Sequence, residues 1–584
     1  MFTDSLLSYY PYSGDASLIP IVQHMLDYQL ANGTTPSTWD WPNVPFASAR
    51  NGDTTYSGDG DASRDGSDGI EPDKVGELGY AYLRFWELTG DTIYRDAAIA
   101  DADALVRHVR AGDATHSPWP FRVDGRTGDI REEYTSSVVG PVRLFDELVR
   151  LNVGDVAHYQ GARDTAWTWV LTYPLENNEW HAYYEDVPRD PELVNYNQLT
   201  AMETARYILD REDPSAVDPQ WRTHVPALID WVGQNFGRGP FWGAQGIDEQ
   251  TICCETTYGL GSDTARWASI NARLYELTGD ARYKDNAFRT FNLATYFASQ
   301  DGVVASVLGG PLESSSISDW FSDSYADYVK HFMYGIGAVP EWSPAGEDHL
   351  VRSSSVVQAI AYAPSDISYT TFDAQATDVL RLSFTPTEIT QDGATMQQTQ
   401  DTRQEGWVYD SATGVLRIRH DHGSRIVIRG DDGTTPSPTP VPITTPSPMS
   451  NQSTVTFDDL PNPGRLLDGH YPIGVIDWGV SQWWLSGPWG GFATNSISFP
   501  PEGTSEPFSF TSPRRLITIQ AFNGGDTPST ITLACDGNPT VSQGVAANQL
   551  LTIPTNWTTT CTTVTVSSSN GWWTNFDNLT YDAG

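Results

Sequence analysis

Hydrophobic positions recur at helical spacing through the first 340 residues and at alternate positions beyond about residue 350. The chain therefore divides by period before any residue is read for chemistry. In Asp248–Ser299, Trp267, Ile270, Leu274 and Leu277 fall on one helix face. Gly279 suits the position just past that helix, and Asp280 can cap the next one. The same phrase stands earlier: Arg84–Asp96 (RFWELTGDTIYRD) matches Arg273–Asp285 (RLYELTGDARYKD). An internal repeat of this kind marks a stacked or ring-forming architecture. Ser17–Asn32 reads as a first amphipathic helix, closed by Gly33. Helix pairs follow at Lys74–Thr89 with Asp91–Arg110, Tyr134–Leu151 with Ala157–Tyr173, Tyr196–Asp210 with Trp221–Phe236, and Asp263–Thr278 with Asp280–Ser299. Ser322–Ala338 starts a further pair or ends the array. The first helices of successive pairs begin about 60 residues apart, which fits one helical hairpin plus a long loop.

The turn inside a pair is short, often only Thr-Gly-Asp, whereas roughly 20–25 residues of aromatic and acidic loop precede each first helix. If the first helices line a ring, all the long loops gather on one rim and form a cleft. A solenoid with short, uniform linkers would not need them. From Leu350 the pattern is β: Leu380, Leu382 and Phe384 alternate with Arg381 and Ser383, and Ile426 and Ile428 alternate with Arg425, Val427 and Arg429. The expected fold is a multidomain one. An α/α toroid of five or six helical hairpins spans 1–345, a small antiparallel β module 346–432, an extended Pro/Thr/Ser linker 433–452, and a β-sandwich 453–584.

Composition narrows the partners. The 584 residues carry a formal charge of −40, which disfavours nucleic acid and other polyanions. No apolar run approaches the ~18 residues of a membrane span. No leader is visible, since Met1-Phe-Thr-Asp opens into polar sequence, as a secreted protein lacking its leader would. The Pro/Thr/Ser linker favours an extracellular location, and a monomer is expected. Twenty-one Trp and 27 Tyr supply flat apolar faces able to stack on sugar rings as well as to fill cores.

The candidate chemistry lies in the loops ahead of the first helices. Glu71 and Asp73, Asp129, Glu132 and Glu133, Glu185 and Asp186, Asp248, Glu249 and Glu255, and Asp319, Asp323 and Asp327 stand before or in the first turn of these helices. Acids also cap helix starts, so any one of them has a structural explanation. Aromatic residues interleave the set: Trp39, Trp41, Trp119, Tyr134, Trp180, Tyr196, Trp242, Tyr258, Trp320 and Tyr325, with Asn197 and His331 nearby in sequence. Glycosidic cleavage needs such a combination, with one carboxylic acid to protonate the leaving oxygen and a carboxylate to activate water or attack the anomeric carbon. Glu249 with Glu133 is the expected acid/base pair; Asp248, Glu255, Asp73 and Asp323 are the other catalytic candidates.

With its two Glu-Leu-Thr-Gly-Asp-x-x-Tyr-x-Asp repeats and acidic loops, the chain resembles the six-hairpin (α/α)-toroid enzymes, glycoside hydrolases and polysaccharide lyases, over about residues 15–340. The β module and the linked sandwich resemble the usual layout of those secreted enzymes, the sandwich being similar to carbohydrate-binding modules. The resemblance implies a polysaccharide- or oligosaccharide-degrading hydrolase. The alternative is a lyase, with Tyr325, Tyr328, His181 or His331 as base and Arg131, Asn195 and Asn197 against the uronate. A non-catalytic glycan-binding scaffold is the third reading. Cys253-Cys254-Glu255 resembles part of the zinc–thiolate site of some β-L-arabinofuranosidases, but no later Cys pair completes it. In the sandwich, Trp478, Trp483, Trp484, Trp489, Trp572 and Trp573 are candidates for glycan binding, and Cys535 and Cys561 could pair. No cofactor is expected to be required. Structural calcium is the one candidate ion, at Asp61, Ser63 and Asp65 in an EF-like Asp/Ser/Asp/Gly phrase and at Asp458 and Asp577 near the sandwich termini.

Overall fold

The computed structural model describes residues 2–48, 57–58, 66–181, 196–249, 251, 258–298, 304, 327–431, 452–458, 460, 463–472, 475–492, 494–501 and 503–582. The helices are α1 (Phe2–Ser13), α2 (Ile19–Asn32), α3 (Pro72–Thr89), α4 (Thr92–His108), α5 (Val139–Leu151), α6 (Val156–Thr172), α7 (Pro174–Asn177), α8 (Gln198–Leu209), α9 (Trp221–Asn235), α10 (Gly261–Thr278), α11 (Ala281–Ala294) and α12 (Tyr328–Ala338). Contacts run α1–α3–α5–α8–α10–α12 and back to α1, so six inner helices close a ring. α2, α4, α6, α9 and α11 pack outside α1, α3, α5, α8 and α10.

The sixth inner helix is α1, a stretch whose sequence reads as polar lead-in. Thr3, Leu6 and Tyr10 are nevertheless buried at helical spacing, and Pro11 lies inside the helix near its end. The repeats build the opposite end of the ring from the long loops. Gly90 and Gly279 close α3 and α10 at φ 77° and 73°, and Asp91 and Asp280 cap α4 and α11 through Ile93 and Arg282 backbone amides. Within the repeats, Arg84 pairs with Glu87 at 2.5 Å and Arg273 pairs with Glu276. These same glutamates reach the β module. Both Arg352 guanidinium Nη atoms donate to Glu276 at 2.7 Å, and Arg150 bridges Glu87 at 2.6 Å and Asp373 at 2.7 Å.

The β module pairs a five-stranded antiparallel sheet, strand order 394–395, 385–391, 425–431, 366–371 and 357–363, with a four-stranded one, order 406–410, 415–420, 376–381 and 349–353. Leu350, Ile367, Leu380, Leu416, Ile418, Ile426 and Ile428 form its core, the alternation expected of strands with one buried face. Met1–Pro436 and Ser437–Gly584 separate as two compact units. The second is an eleven-stranded antiparallel β unit around Trp478, Trp483, Phe499, Phe508 and Phe576, with a Cys535–Cys561 disulfide. The linker 433–451 lies outside the described residues. Among the described residues no helix is long and apolar enough to cross a membrane.

One buried acid in the wall has no ion partner among the interactions seen. Asp101 on α4 is 1% exposed and lies against Gly79 of α3, where an added Cβ would meet its Cβ at 3.1 Å. Its Oδ2 lacks a hydrogen-bond partner, and burial raises its pKa well above the usual carboxylate range. The folded form thus holds a proton that the unfolded form releases above about pH 4. The group favours folding below that value and opposes it as pH rises. Asp101→Asn is therefore expected to raise the melting temperature at pH 7, with the gain shrinking toward pH 4, as read by thermal melts across that range.

Candidate active site at the ring axis

All six inner helices contribute charged side chains to the ring interior, most from their N-terminal halves and Arg206 from the last turn of α8. α1 contributes Asp4, α3 Asp73 and Glu77, α5 Arg143, α8 Glu203 and Arg206, α10 Asp263 and Arg266, and α12 Asp327, Lys330 and His331. They form one network. Arg143 Nη1 lies 2.9 Å from Glu203 Oε2, and Arg206 Nε and Arg266 Nε lie 3.5 and 3.6 Å from Glu203 Oε1. Arg266 also pairs with Asp263, and its Nη2 with Asp327 Oδ2 at 2.8 Å. Lys330 Nζ is 3.6 Å from both Asp327 and Asp4. Gln198 donates to Asp263 at 2.6 Å, and Arg206 donates to Ser269 Oγ at 2.5 Å. His331 donates from Nε2 to Asp327 at 3.0 Å and accepts at Nδ1 from Arg206 at 3.3 Å.

The first helical turns face each other closely because two glycines permit it. A Cβ on Gly76 would lie 2.2 Å from Pro141 N, and one on Gly140 would lie 2.6 Å from Glu77 Cγ. This approach seats Glu77 against the start of α5. Glu77 is open to solvent and Asp73, Asp4, Arg143 and Glu203 are partly so, yet protein surrounds all five.

The environments push these acids apart. Burial would raise Glu203, but Arg143, Lys330, Arg206 and Arg266 override it and hold it far below the usual range. Asp327 is likewise low, burial being outweighed by Arg266, His331 and Lys330. Asp73 goes the other way: burial first, then the Glu77 charge, push it up to about 7 against Lys74 and Arg122. Glu77 is also raised, by burial and by Glu203 against Lys330 and Arg143. Asp73 and Glu77 stand one turn apart on one helix face, so the pair retains a proton near neutrality. Burial pushes His331 down to about 3, so it is a neutral imidazole.

Asp73, Asp327 and His331 are the sequence candidates that the fold brings to the axis. Glu77, Glu203, Arg143, Arg266 and Lys330 were not singled out by the sequence. Glu133 is tied to Arg110, and Asp248, which is buried, to Arg238. Glu249 is buried, and its backbone carbonyl accepts from Gln198 N at 3.0 Å. Glu255, Asp323, Trp320, Tyr325, Cys253, Cys254, Asp61, Ser63 and Asp65 lie outside the described residues. Trp41, Trp119 and Trp180 are corrected from sugar platforms to core residues, because they are at most 1% exposed. Trp41 stacks on His108 at 4.2 Å, and the Trp119 indole donates to Leu105 O at 2.9 Å. Tyr134 packs on Trp169 and His181, and Tyr196 packs edge-on against His181 and Trp231. Asn197 caps α8 through Leu199 N, and Tyr258 packs against Phe241. Trp242 is 91% exposed, but its carbonyl accepts from Arg289 of the outer helix α11, at 3.1 Å. His331 is fully buried within the ion network and presents no face to a substrate. In the sandwich, Trp478 and Trp483 are also corrected to core, while Asp577 is buried and pushed up to about 6, by burial and then Asp458 against an Asn578 backbone hydrogen bond. Among the described residues no group of three or more His, Cys, Asp or Glu is placed to hold a metal.

No protein-family model matches the sequence, and no curated protein matches it. Solved structures with similar coordinates include a family 76 glycoside hydrolase from a bovine Bacteroides thetaiotaomicron strain (10% identity, TM-score 0.37, 55% of this chain and 65% of that one). Others are cellobiose 2-epimerase from Spirochaeta thermophila (11%, 0.41, 59% and 85%) and a polysaccharide lyase (11%, 0.37, 58% and 89%). The chain thus spans just under two thirds of the family 76 hydrolase. With TM-scores of this size the similarities do not bear on the chemistry of the site, which rests on the side chains themselves.

The network also holds the ring together. Arg266→Leu would leave Asp263, Asp327 and Glu203 short of a buried counter-charge. Stranding buried charge in this way costs roughly 3–5 kcal/mol. Urea unfolding of Arg266→Leu should show a loss of that order; a change under about 1 kcal/mol would mean that the network does not bind the ring.

Proposed function

We propose that the chain is a glycan-cleaving hydrolase whose reaction takes place at the ring axis, with Asp73 as general acid and Glu77 as its partner carboxylate. The feature that carries this reading is the placement of Asp73 and Glu77, two carboxyls raised above their ordinary range by burial, one turn apart on an inner helix beside the charge network of the axis. A general acid works best with a pKa near the working pH, and a second carboxylate one turn away both raises it and serves in the second role. Asp73 gives its proton to the glycosidic oxygen as the bond to the anomeric carbon breaks. Water adds to that carbon with Glu77 assisting, and the proton lost by water restores the acid, so one water is consumed per bond.

Among the described residues, the state of the bases around the axis favours hydrolysis over β-elimination. A lyase needs a base that takes a proton from the carbon beside a uronate carboxyl. Burial pushes the Tyr80 and Tyr334 phenols and the Tyr134 phenol up, and pushes His331 down to about 3. Phenols raised in this way stay protonated at neutral pH, and so acidic an imidazolium belongs to a weak base. The solved structures similar in coordinates include proteins named as glycoside hydrolases, an epimerase and a lyase, so a carbohydrate substrate is in keeping with them without resting on them.

A panel of neutral and uronate polysaccharides, read both by reducing ends and by ultraviolet absorbance, tests the reading. Reducing ends without the absorbance of an unsaturated uronate are expected; absorbance would establish the lyase instead. On the substrate so found, Asp73→Asn should lower kcat/KM by about 10²–10⁴-fold. Activity should decline as pH rises through 7, where Asp73 loses its proton. Glu77→Gln removes the neighbouring charge that helps to raise Asp73, so any residual activity should decline at a lower pH than in the native protein. An unshifted limb would separate Glu77 from the acid.

A further inference from the structure

We propose that Trp489 and Trp573 form a binding platform for a neutral polysaccharide on the C-terminal β unit, a function separate from the chemistry of the ring. The aromatic residues of this unit fall into two populations. Trp478, Trp483, Phe499, Phe508 and Phe576 are interior, whereas Trp489 and Trp573 are 37% and 54% exposed. The two exposed indoles lie together, with centroids 6.3 Å apart and planes 37° from parallel. Leu550, also exposed, lies close by: a Cβ on Gly491 would meet it at 3.3 Å. A domain filling its core does not leave its largest apolar side chains paired in water, so the patch marks a contact.

The indoles are fixed before any ligand arrives. Trp489 stands edge-on to Phe522 at 5.6 Å and 83°. It crosses Gly524 so closely that a Cβ there would come within 2.0 Å of its Cη2, so only glycine permits the pose. Gly524 N donates to Trp573 O at 2.8 Å, and Trp573 N donates to Asn570 O at 3.1 Å. The Asn570 side-chain amide in turn donates to Asn523 Oδ1 and Thr527 O, both at 2.8 Å. Rigid aromatic faces lose little freedom on binding, which favours a weakly polar partner that offers mainly C–H contacts.

Charge selects the partner. The segments that carry or adjoin the platform, 486–492, 523–528, 548–550 and 569–573, contain one ionisable side chain, Asp526, and no Lys, Arg or His. A uronate, a sulfated glycan or a phospholipid headgroup would find no counter-charge there and would meet a carboxylate. The stacked C–H faces of an uncharged sugar chain need none. Trp484 and Trp572 form a second, half-buried pair at 5.5 Å and 64°, and their edge-to-face packing leaves less free surface.

The test is retention of the full chain on insoluble cellulose, chitin and β-mannan, with polygalacturonate and phosphatidylcholine vesicles as counter-probes. Retention on at least one neutral polymer is expected, weakened at least tenfold in Trp489→Ala and in Trp573→Ala, with unfolding curves showing that both variants remain folded. Because both indoles are exposed, Trp573→Phe should keep the fold and recover part of the binding. Asp73→Asn should bind as the native chain does, so failure here and failure of the catalytic reading are told apart. The proposal is overturned if none of the three neutral polymers retains the chain, if both alanine variants bind unchanged, or if either counter-probe binds more tightly than the neutral polymers.

Discussion

The constraint on which the first unit depends is the charge network at the ring axis. Ionised groups from different inner helices meet inside the ring and are neutralised there. Glu203 is the hub, reached by Arg143, Arg206 and Arg266 from α5, α8 and α10. Lys330 of α12 ties in Asp327 of its own helix and Asp4 of α1, which closes the circle. Removing water from one of these charges alone would cost several kcal/mol, so the cations and anions are retained as a set. The helices must therefore keep their register, and the helix starts are fixed relative to one another.

That fixed arrangement separates otherwise similar carboxyls. Glu203 and Asp327 face several cations and stay ionised. Asp73 faces burial and the Glu77 charge, with Lys74 and Arg122 too little to offset them. Arg122 is itself committed, with Nε 2.7 Å from Glu71 and Nη1 3.2 Å from Glu132. One side of the axis thus carries permanent negative charge matched by cations, and the other carries a titratable pair near neutrality. Acid catalysis and structural cohesion draw on the same side chains in different electrostatic settings. At the far end, the Thr-Gly-Asp repeats anchor the β module through Glu87 and Glu276.

Much of the fold was legible because its periods are clean. The helical pairs, the change to strands near residue 350 and the paired Arg84/Glu87 and Arg273/Glu276 phrases all correspond to observed elements. α1 was not legible, because Pro11 and a run of tyrosines hide its buried Thr3, Leu6 and Tyr10 face. The site was less legible, and for a physical reason. An inner helix with one polar side looks like a surface helix in sequence, although its polar side faces an enclosed axis. Nothing in the sequence separates Glu77 and Lys330 from solvent-facing charges, whereas Asp73, an acid at a helix start, stands among the catalytic candidates. Tryptophan count could not tell Trp41, Trp119 and Trp180, which fill the core, from Trp489 and Trp573, which do not, since only packing decides exposure.

The central claim is that the axis holds Asp73 protonated near neutrality. Infrared difference spectroscopy of the native chain against Asp73→Asn, titrated through the acid and neutral range, isolates the protonated-carboxyl band of that residue. The account predicts a band that persists through pH 6 and is lost with a midpoint near 7. A midpoint in the ordinary aspartate range, near 4, would contradict it.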